Sequence, residues 1–313
     1  MYRRRTILTS IPLAFSACQS HGAKLIGVIP KATSHLFFVA IHGGVNRAAH
    51  EMHVEVLWNG PSDETDHTRQ IQIVDSMIAR RVDAIAISAT DERALVAPLK
   101  RAIAARIPVA MFDSAADIED YVTFVATDNH AAGCTAARTL AALIGNSGKI
   151  AMIMQKPGGT STGLRETGFA DTIAKEFPGV TIAARQFGMA DPARSRAAAE
   201  NILTAQPSLA GIFASSEAAS IGAIQAIRTR GLSRKVRLVT FDSSETHLAA
   251  LDDGTIDAMM VQDPFRIGYE AVRALAQKLS GTTPARRLDL PARLIVKADL
   301  GKPGIAELLR PPV

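Results

Sequence analysis

A chain of 313 residues that is 47% hydrophobic can bury large cores and has the length of two domains. Its formal net charge of +5 includes Arg3, Arg4 and Arg5, so the rest of the chain carries about +2, too little to argue for nucleic acid as a partner. With only Cys18 and Cys134 present, neither a disulfide framework nor a cysteine metal site is expected.

The first 22 residues read as a signal peptide. A basic start is followed by an apolar run over 7–17, well short of the roughly 20 residues that span a bilayer as a helix. The ending Phe15-Ser16-Ala17-Cys18 looks like a lipoprotein signal, in which Cys18 would carry the lipid; simple cleavage with a free secreted product is the alternative.

The first element after this leader is an apolar strand over 25–29, closed by Pro30 and the polar loop KATSH. Phe37 and Phe38 lead into a helix with apolar residues at 38, 41, 45, 48/49 and 52, a helical period with one face toward a core. The loop has no phosphate-cradling glycine motif, which favours a neutral polar ligand over a nucleotide. Further strands follow at 54–58, 83–88, 108–112 and 122–125, with helices between them, and Thr90-Asp91 reads as a helix cap. The alternation then restarts, with strands at 149–154, 180–185, 210–214, 236–241 and 256–261. A helix over 264–280 and a strand over 293–296 complete the chain. Short strands alternating with longer helices signal parallel α/β sheets, here as two Rossmann-like lobes. Cys134, in the alanine-rich run AAGCTAARTLAAL, reads as a small buried hydrophobe.

In open parallel sheets, ligands bind beyond the carboxyl ends of the strands. Here those ends carry His35, Phe37, Phe38, Asp91, Asp113, Ser114, Ser161, Thr162, Arg165, Ser216, Glu217, Asp242 and Gln262. Carboxylates, hydroxyls, an amide and an arginine can bond the paired hydroxyls of a sugar or polyol, while aromatic faces cover its C–H surface. Asp113 and Asp242 also fit as simple helix caps.

The stretches IPKATSHLFFVAI, NGPSDETDHTRQ, IPVAMFDS, FVATDN, GGTSTGLRETGF, GIFASSEAASIGA, VTFDSS and VQDPFRIGYE, in this order, resemble the type I periplasmic sugar-binding proteins of bacterial ABC importers, the ribose-binding cluster. The resemblance implies two lobes joined by three hinge crossings, over 23–127 plus 263–290 and 128–262 plus 291–313. It also implies a periplasmic or otherwise extracytoplasmic monomer that closes on a small carbohydrate-like ligand without chemistry and without a metal or cofactor, then delivers it to an ABC permease in the membrane. Ligand-binding positions fall on His35, Phe37, Phe38, Asp113, Ser114, Arg165, Ser216, Asp242 and Gln262, with Lys31, Asp91 and Glu217 as secondary candidates. The chain departs from ribose binders at several of these. Their first-loop asparagine is His35, the arginine after their fourth-strand aspartate is Ser114, and their ribose-contacting arginine aligns near Gly163. Arg165 matches a neighbouring arginine, and their second-lobe asparagine is Ser216. A sugar, polyol or sugar acid other than ribose is therefore expected. Lys31 and His35 add positive charge where ribose binders are neutral, which directs attention to an anionic or unusual sugar.

Other readings fare worse. No nucleophile elbow, zincin motif or P-loop is present for an enzyme, and His50 and His53 belong to a solvated helix end rather than a metal site. A repressor with this core needs a helix-turn-helix ahead of it, where this chain reads as a leader. A receptor presented to a chemotaxis or sensor-kinase system keeps the fold and changes only the output.

Overall fold

The structure, a computed structural model, describes residues 22–310. The leader expected over 1–22, including Cys18, lies outside the described residues apart from Gly22.

The first half alternates β1 (Leu25–Ile29), α1 (Leu36–Met52), β2 (Glu55–Trp58), α2 (His67–Ala79), β3 (Ala84–Ile87), α3 (Val96–Ala104), β4 (Val109–Phe112) and β5 (Phe124–Thr127). The second half repeats the scheme with α4 (Asn129–Leu143), β6 (Gly148–Met154), α5 (Thr160–Glu176), β7 (Val180–Phe187), α6 (Pro192–Ala205), β8 (Leu209–Ala214), α7 (Glu217–Thr229), β9 (Arg237–Phe241), α8 (Glu245–Asp252) and β10 (Ala258–Val261). The chain ends with α9 (Pro264–Leu279), β11 (Arg287–Leu290), β12 (Arg293–Ile295) and α10 (Ile305–Leu309).

Two six-stranded sheets result, ordered β11-β5-β4-β3-β1-β2 and β12-β10-β9-β8-β6-β7. All pairings are parallel except β10 with β12. Each sheet thus reverses its winding at its first strand, β1 or β6, and such a reversal opens a crevice beyond the carboxyl ends of the strands. The backbone passes between the two sheets after β5, after β10 and between β11 and β12, giving three crossings.

β11 was not foreshadowed by an apolar run. Its sequence Arg-Leu-Asp-Leu alternates at a half-exposed sheet edge, where only one face needs hydrophobic residues. The fifth strand lies two residues later than its sequence pattern suggests, because Val122 and Thr123 lead into the sheet before pairing with β11 begins at Phe124.

In each lobe one helix pair packs unusually closely. Gly44 of α1 faces the Phe265 carbonyl of α9, and Gly268 of α9 faces that of Ile41; a Cβ on either would fall about 2 Å from the opposing oxygen. In the second lobe, Gly133 of α4 and Gly168 of α5 face the carbonyls of Arg165 and His130 in the same reciprocal way. Glycine is required here because any side chain would separate the helices. Cys134 sits at this second seam, half-buried rather than fully buried, with its Sγ 3.5 Å from the Gly168 carbonyl.

Candidate functional site

The loop after β1 sends Lys31 into the space between the lobes. Its Nζ lies 3.0 Å from Asp113 Oδ2 and 3.8 Å from Glu64 Oε2, and it donates across the lobes to Ser161 Oγ at 3.3 Å. Burial works against the ammonium, but Asp113 and Glu64 more than offset this and hold Lys31 above its usual range. Glu64 responds in the opposite sense. Burial would raise it, but Lys31 and His35 keep its carboxyl far below the ordinary carboxylate range. His35 Nδ1 is 3.2 Å from Glu64 Oε1; burial opposes the imidazolium, and Glu64 and Glu217 together raise it.

Asp113 follows β4 in the left-handed backbone region, φ 55°, which turns its carboxylate back toward Lys31 and the Ser88 hydroxyl, 2.8 Å away. Asp242 follows β9 with φ 70°. Gln262 Nε2 donates to its Oδ1 at 2.6 Å, and the Glu217 backbone N–H donates to its Oδ2 at 2.9 Å. Neither aspartate caps the helix that follows it; Ser244, not Asp242, caps α8. Gln262 is itself held by the Thr127 hydroxyl at 2.7 Å, so two of the three crossings meet at this amide. Burial raises Asp242, and Arg165 and Gln262 only partly counter it.

Arg165 projects from α5 and is fixed from three directions. Nε donates to Asn129 Oδ1 at 2.7 Å, Nη1 donates to the Ser215 carbonyl at 3.0 Å, and the guanidinium lies 4.2 Å from the Phe241 ring centroid. Phe241 continues into the core through Phe213 and Phe169. The arginine is therefore anchored on the buried aromatic core of its lobe. Ser216 caps α7 and donates to Gln155 Oε1, while Gln155 Nε2 reaches Glu64 Oε2 at 3.3 Å across the cleft. Glu217 makes a second crossing contact: its Oε2 accepts the Phe37 N–H in the first turn of α1 at 3.3 Å. The N-cap residue of α1, His35, offers no side-chain cap, so a carboxylate from the opposite lobe serves the free amides.

These groups surround one cavity of about 30 Å³. It brings together His35, Phe37, Phe38, Asp113, Arg165, Ser216, Asp242 and Gln262, together with Lys31 and Glu217. Two expected contacts do not line it. Ser114 is wholly buried against the other lobe, its hydroxyl 3.0 Å from Thr160 Oγ1 and 3.4 Å from Ser161 Oγ. Asp91 accepts the Arg93 and Ala94 N–H groups at 2.9 Å and caps the turn into α3. Phe38 is core as much as site, 1% exposed and packed edge-on to Phe37, which leaves Phe37 as the more available face.

Ser161 and Thr162 also line the cavity, and Glu64 and Gln155 join them without having been singled out in the sequence. Gln155 directly follows β6, so the strand-end rule reaches it. Glu64 lies in an acidic loop, SDETD, with no signal separating it from its solvated neighbours.

Residues 26–283 match the family of the periplasmic binding protein domain. The chain belongs to this family. A ribose import binding protein of Bacillus subtilis is 28% identical over 269 residues, covering 86% of each chain. Among solved structures, a carbohydrate transporter solute-binding protein from Agrobacterium radiobacter in complex with D-arabinose is 32% identical, with a TM-score of 0.90 over 93% of this chain and 100% of that one. An ABC transporter solute-binding protein from Agrobacterium vitis, bound with α-D-tagatopyranose, is 30% identical with a TM-score of 0.88 over 91% of this chain and 99% of that one. The two-lobed type I periplasmic binding fold expected from the sequence is thus the fold observed. Among the described residues no helix is long and apolar enough to cross a membrane.

Proposed function

We propose that this periplasmic binding protein closes on a neutral sugar or sugar-like ligand outside the cytoplasm and delivers it, chemically unchanged, to an ABC permease. The observation that carries this reading is the convergence of eleven strand-end side chains from both lobes and the hinge on one cavity between the lobes. Carboxylates that accept, an arginine, amides that do both and an aromatic face suit a polyhydroxylated ring. Contacts between the lobes sew over one side of the cavity and leave about 30 Å³, too little for a sugar ring, so ligand enters only when the lobes part. The ligand then stabilises the shut state by bonding both lobes at once. Relatives named for ribose, arabinose and tagatose support the substrate class.

The electrostatics argue against the sugar acid that Lys31 suggested in the sequence. Its charge is already matched by Asp113 and Glu64, and Asp242 and Glu217 add further carboxyl groups to the wall. A ligand carboxylate would meet these groups with Arg165 alone, held by neutral partners, to set against them among the described lining residues.

A thermal-shift screen over neutral pentoses, hexoses, polyols and sugar acids tests the proposal, because a ligand that binds only the folded state raises Tm. Neutral sugars should shift Tm and be recovered intact. A shift confined to sugar acids, or recovery of a transformed product, would overturn the reading.

A further inference from the structure

The rim of the sugar cavity is not uniform. On one side the lobes are sewn together directly. Lys156 Nζ donates to the Thr90 carbonyl, the Glu92 N–H to the Gly158 carbonyl at 3.1 Å, and the Ala115 N–H to Thr160 Oγ1 at 2.8 Å, beside the Ser114–Ser161 contacts. On the other side Phe37, Asp242 and Gln262 are shared with a second space of about 170 Å³, several times the volume of the inner one. It opens between the start of α1 and the segment after β9, and its remaining wall is largely Leu36, Val39, Val261, Pro264 and Leu309.

The polar groups of this second space are already engaged. Ser243 Oγ donates to the Leu309 carbonyl at 3.2 Å, Ser244 Oγ lies 2.7 Å from His247 Nδ1, and both oxygens of Glu245 bind the Arg310 guanidinium at 2.7 and 3.1 Å. What the space offers is apolar surface. Leu36 is 54% exposed and Val39 38%, two of the few large hydrophobic side chains that the described residues leave in water. A second sugar ring, with a hydroxyl on nearly every carbon, would find few free partners there; an apolar group would find several.

We propose that this groove is a second ligand compartment, and that the protein accepts glycosides whose apolar aglycone lies between Leu36, Val39 and Leu309 while the sugar occupies the inner cavity. The proposal rests on the sugar-binding reading above and deepens it. Phe37 lines both spaces and so stands between the sugar and the aglycone. The sewn rim blocks a bulky substituent on its side, whereas the lining shared at Phe37, Asp242 and Gln262 sets the groove directly beside the sugar.

Titration calorimetry on the full chain tests it, with D-ribose, D-arabinose and D-fucose each as the free sugar and as the methyl and phenyl glycosides of both anomers. Burying an aromatic ring, less the cost of ordering it, should make one phenyl glycoside bind about tenfold tighter than its free sugar. Leu36→Asn combined with Val39→Asn should bring that ratio close to one. If free sugars bind and every phenyl glycoside binds no better or is refused, the second compartment is wrong and the sugar reading stands. A preference for the phenyl glycoside that survives the double substitution also overturns it. Silence from all free sugars and glycosides alike would overturn the glycoside proposal, and the thermal-shift screen then decides the sugar reading separately.

Discussion

The two lobes share a plan and differ in how they hold charge. Each ends its fourth strand in the lobe, β4 or β9, on an aspartate in the left-handed region, and each seals a helix pair with reciprocal glycines. In the first lobe, Asp113 and Glu64 share the ammonium of Lys31. In the second, Asp242 leans on the neutral amide of Gln262 and a backbone N–H, with Arg165 bound mainly to Asn129, Ser215 and Phe241. The carboxyl groups move accordingly. Lys31 and His35 hold Glu64 down against burial, whereas burial lifts Asp242, and burial and Asp242 together lift Glu217. One jaw is thus a settled ion cluster, and the other keeps hydrogen-bonding capacity for something new.

Removing the first jaw's cation should break this contrast most severely. Lys31→Met strips Asp113 and Glu64 of the buried ammonium they share, leaving Asp113 only the Ser88 hydroxyl and Glu64 only His35 and Gln155, and should cost about 3–5 kcal/mol of folding stability in urea titrations. Asp242→Asn keeps one acceptor but turns an NH2 toward either Gln262 Nε2 or the Glu217 N–H, and with no buried charge left unpaired it should cost about 1–2 kcal/mol. Equal losses would show that the jaws are not wired differently.

Ligand affinity sharpens the same point. Asp242→Ala should weaken sugar binding by about 2–3 kcal/mol, because the polar atoms it faces lose their partner. Calorimetry on the sugar found by the thermal screen reads this directly, and parent-like binding would place the site elsewhere.

The helix seams come next. Gly133→Ala and Gly44→Ala each overpack a seam and should cost about 1–3 kcal/mol of stability. Only Gly133 faces the backbone of Arg165, so sugar affinity should fall in Gly133→Ala and hold in Gly44→Ala. A fall in both would mean that seam packing, rather than arginine placement, governs binding.

The smallest effect is in pH dependence. The folded-state pKa of Glu217 lies above its unfolded value, so its contribution is full below the unfolded pKa and is lost as pH rises through the folded one. Glu217→Gln should therefore gain stability relative to the parent at neutral pH, the gain shrinking as pH falls. Glu64 runs the other way: its contribution is present above its unfolded pKa and disappears on acidification. Glu64→Gln should be worse than the parent at neutral pH and approach it in acid. Melting temperatures between pH 2 and 8 check both signs, Glu217 in the upper part of that range and Glu64 below about pH 4.5.

The sequence by itself determined the alternation of strands and helices, because apolar spacing reports which face of a local element meets a core. It also named most of the residues that line the inner cavity, since side chains that follow parallel strands emerge on one edge wherever the sheet lies. Phe37, Asp113, Arg165, Asp242 and Gln262 were legible on those grounds. Only the tertiary structure decided how these groups are shared. Glu64 became a wall residue because Lys31 and His35 reach it across about 30 positions of chain and Gln155 across 91. Ser114 was diverted to the lobe contact by neighbours that no periodicity announces, whereas Asp91 caps a turn, as the sequence reading of Thr90-Asp91 expected. The charge of Lys31, conspicuous in the loop KATSH, is cancelled by two carboxylates 33 and 82 residues away. Local pattern sets backbone geometry, but electrostatic pairing depends on distance through space. The loop after β1 therefore acquired its chemistry only when the lobes met.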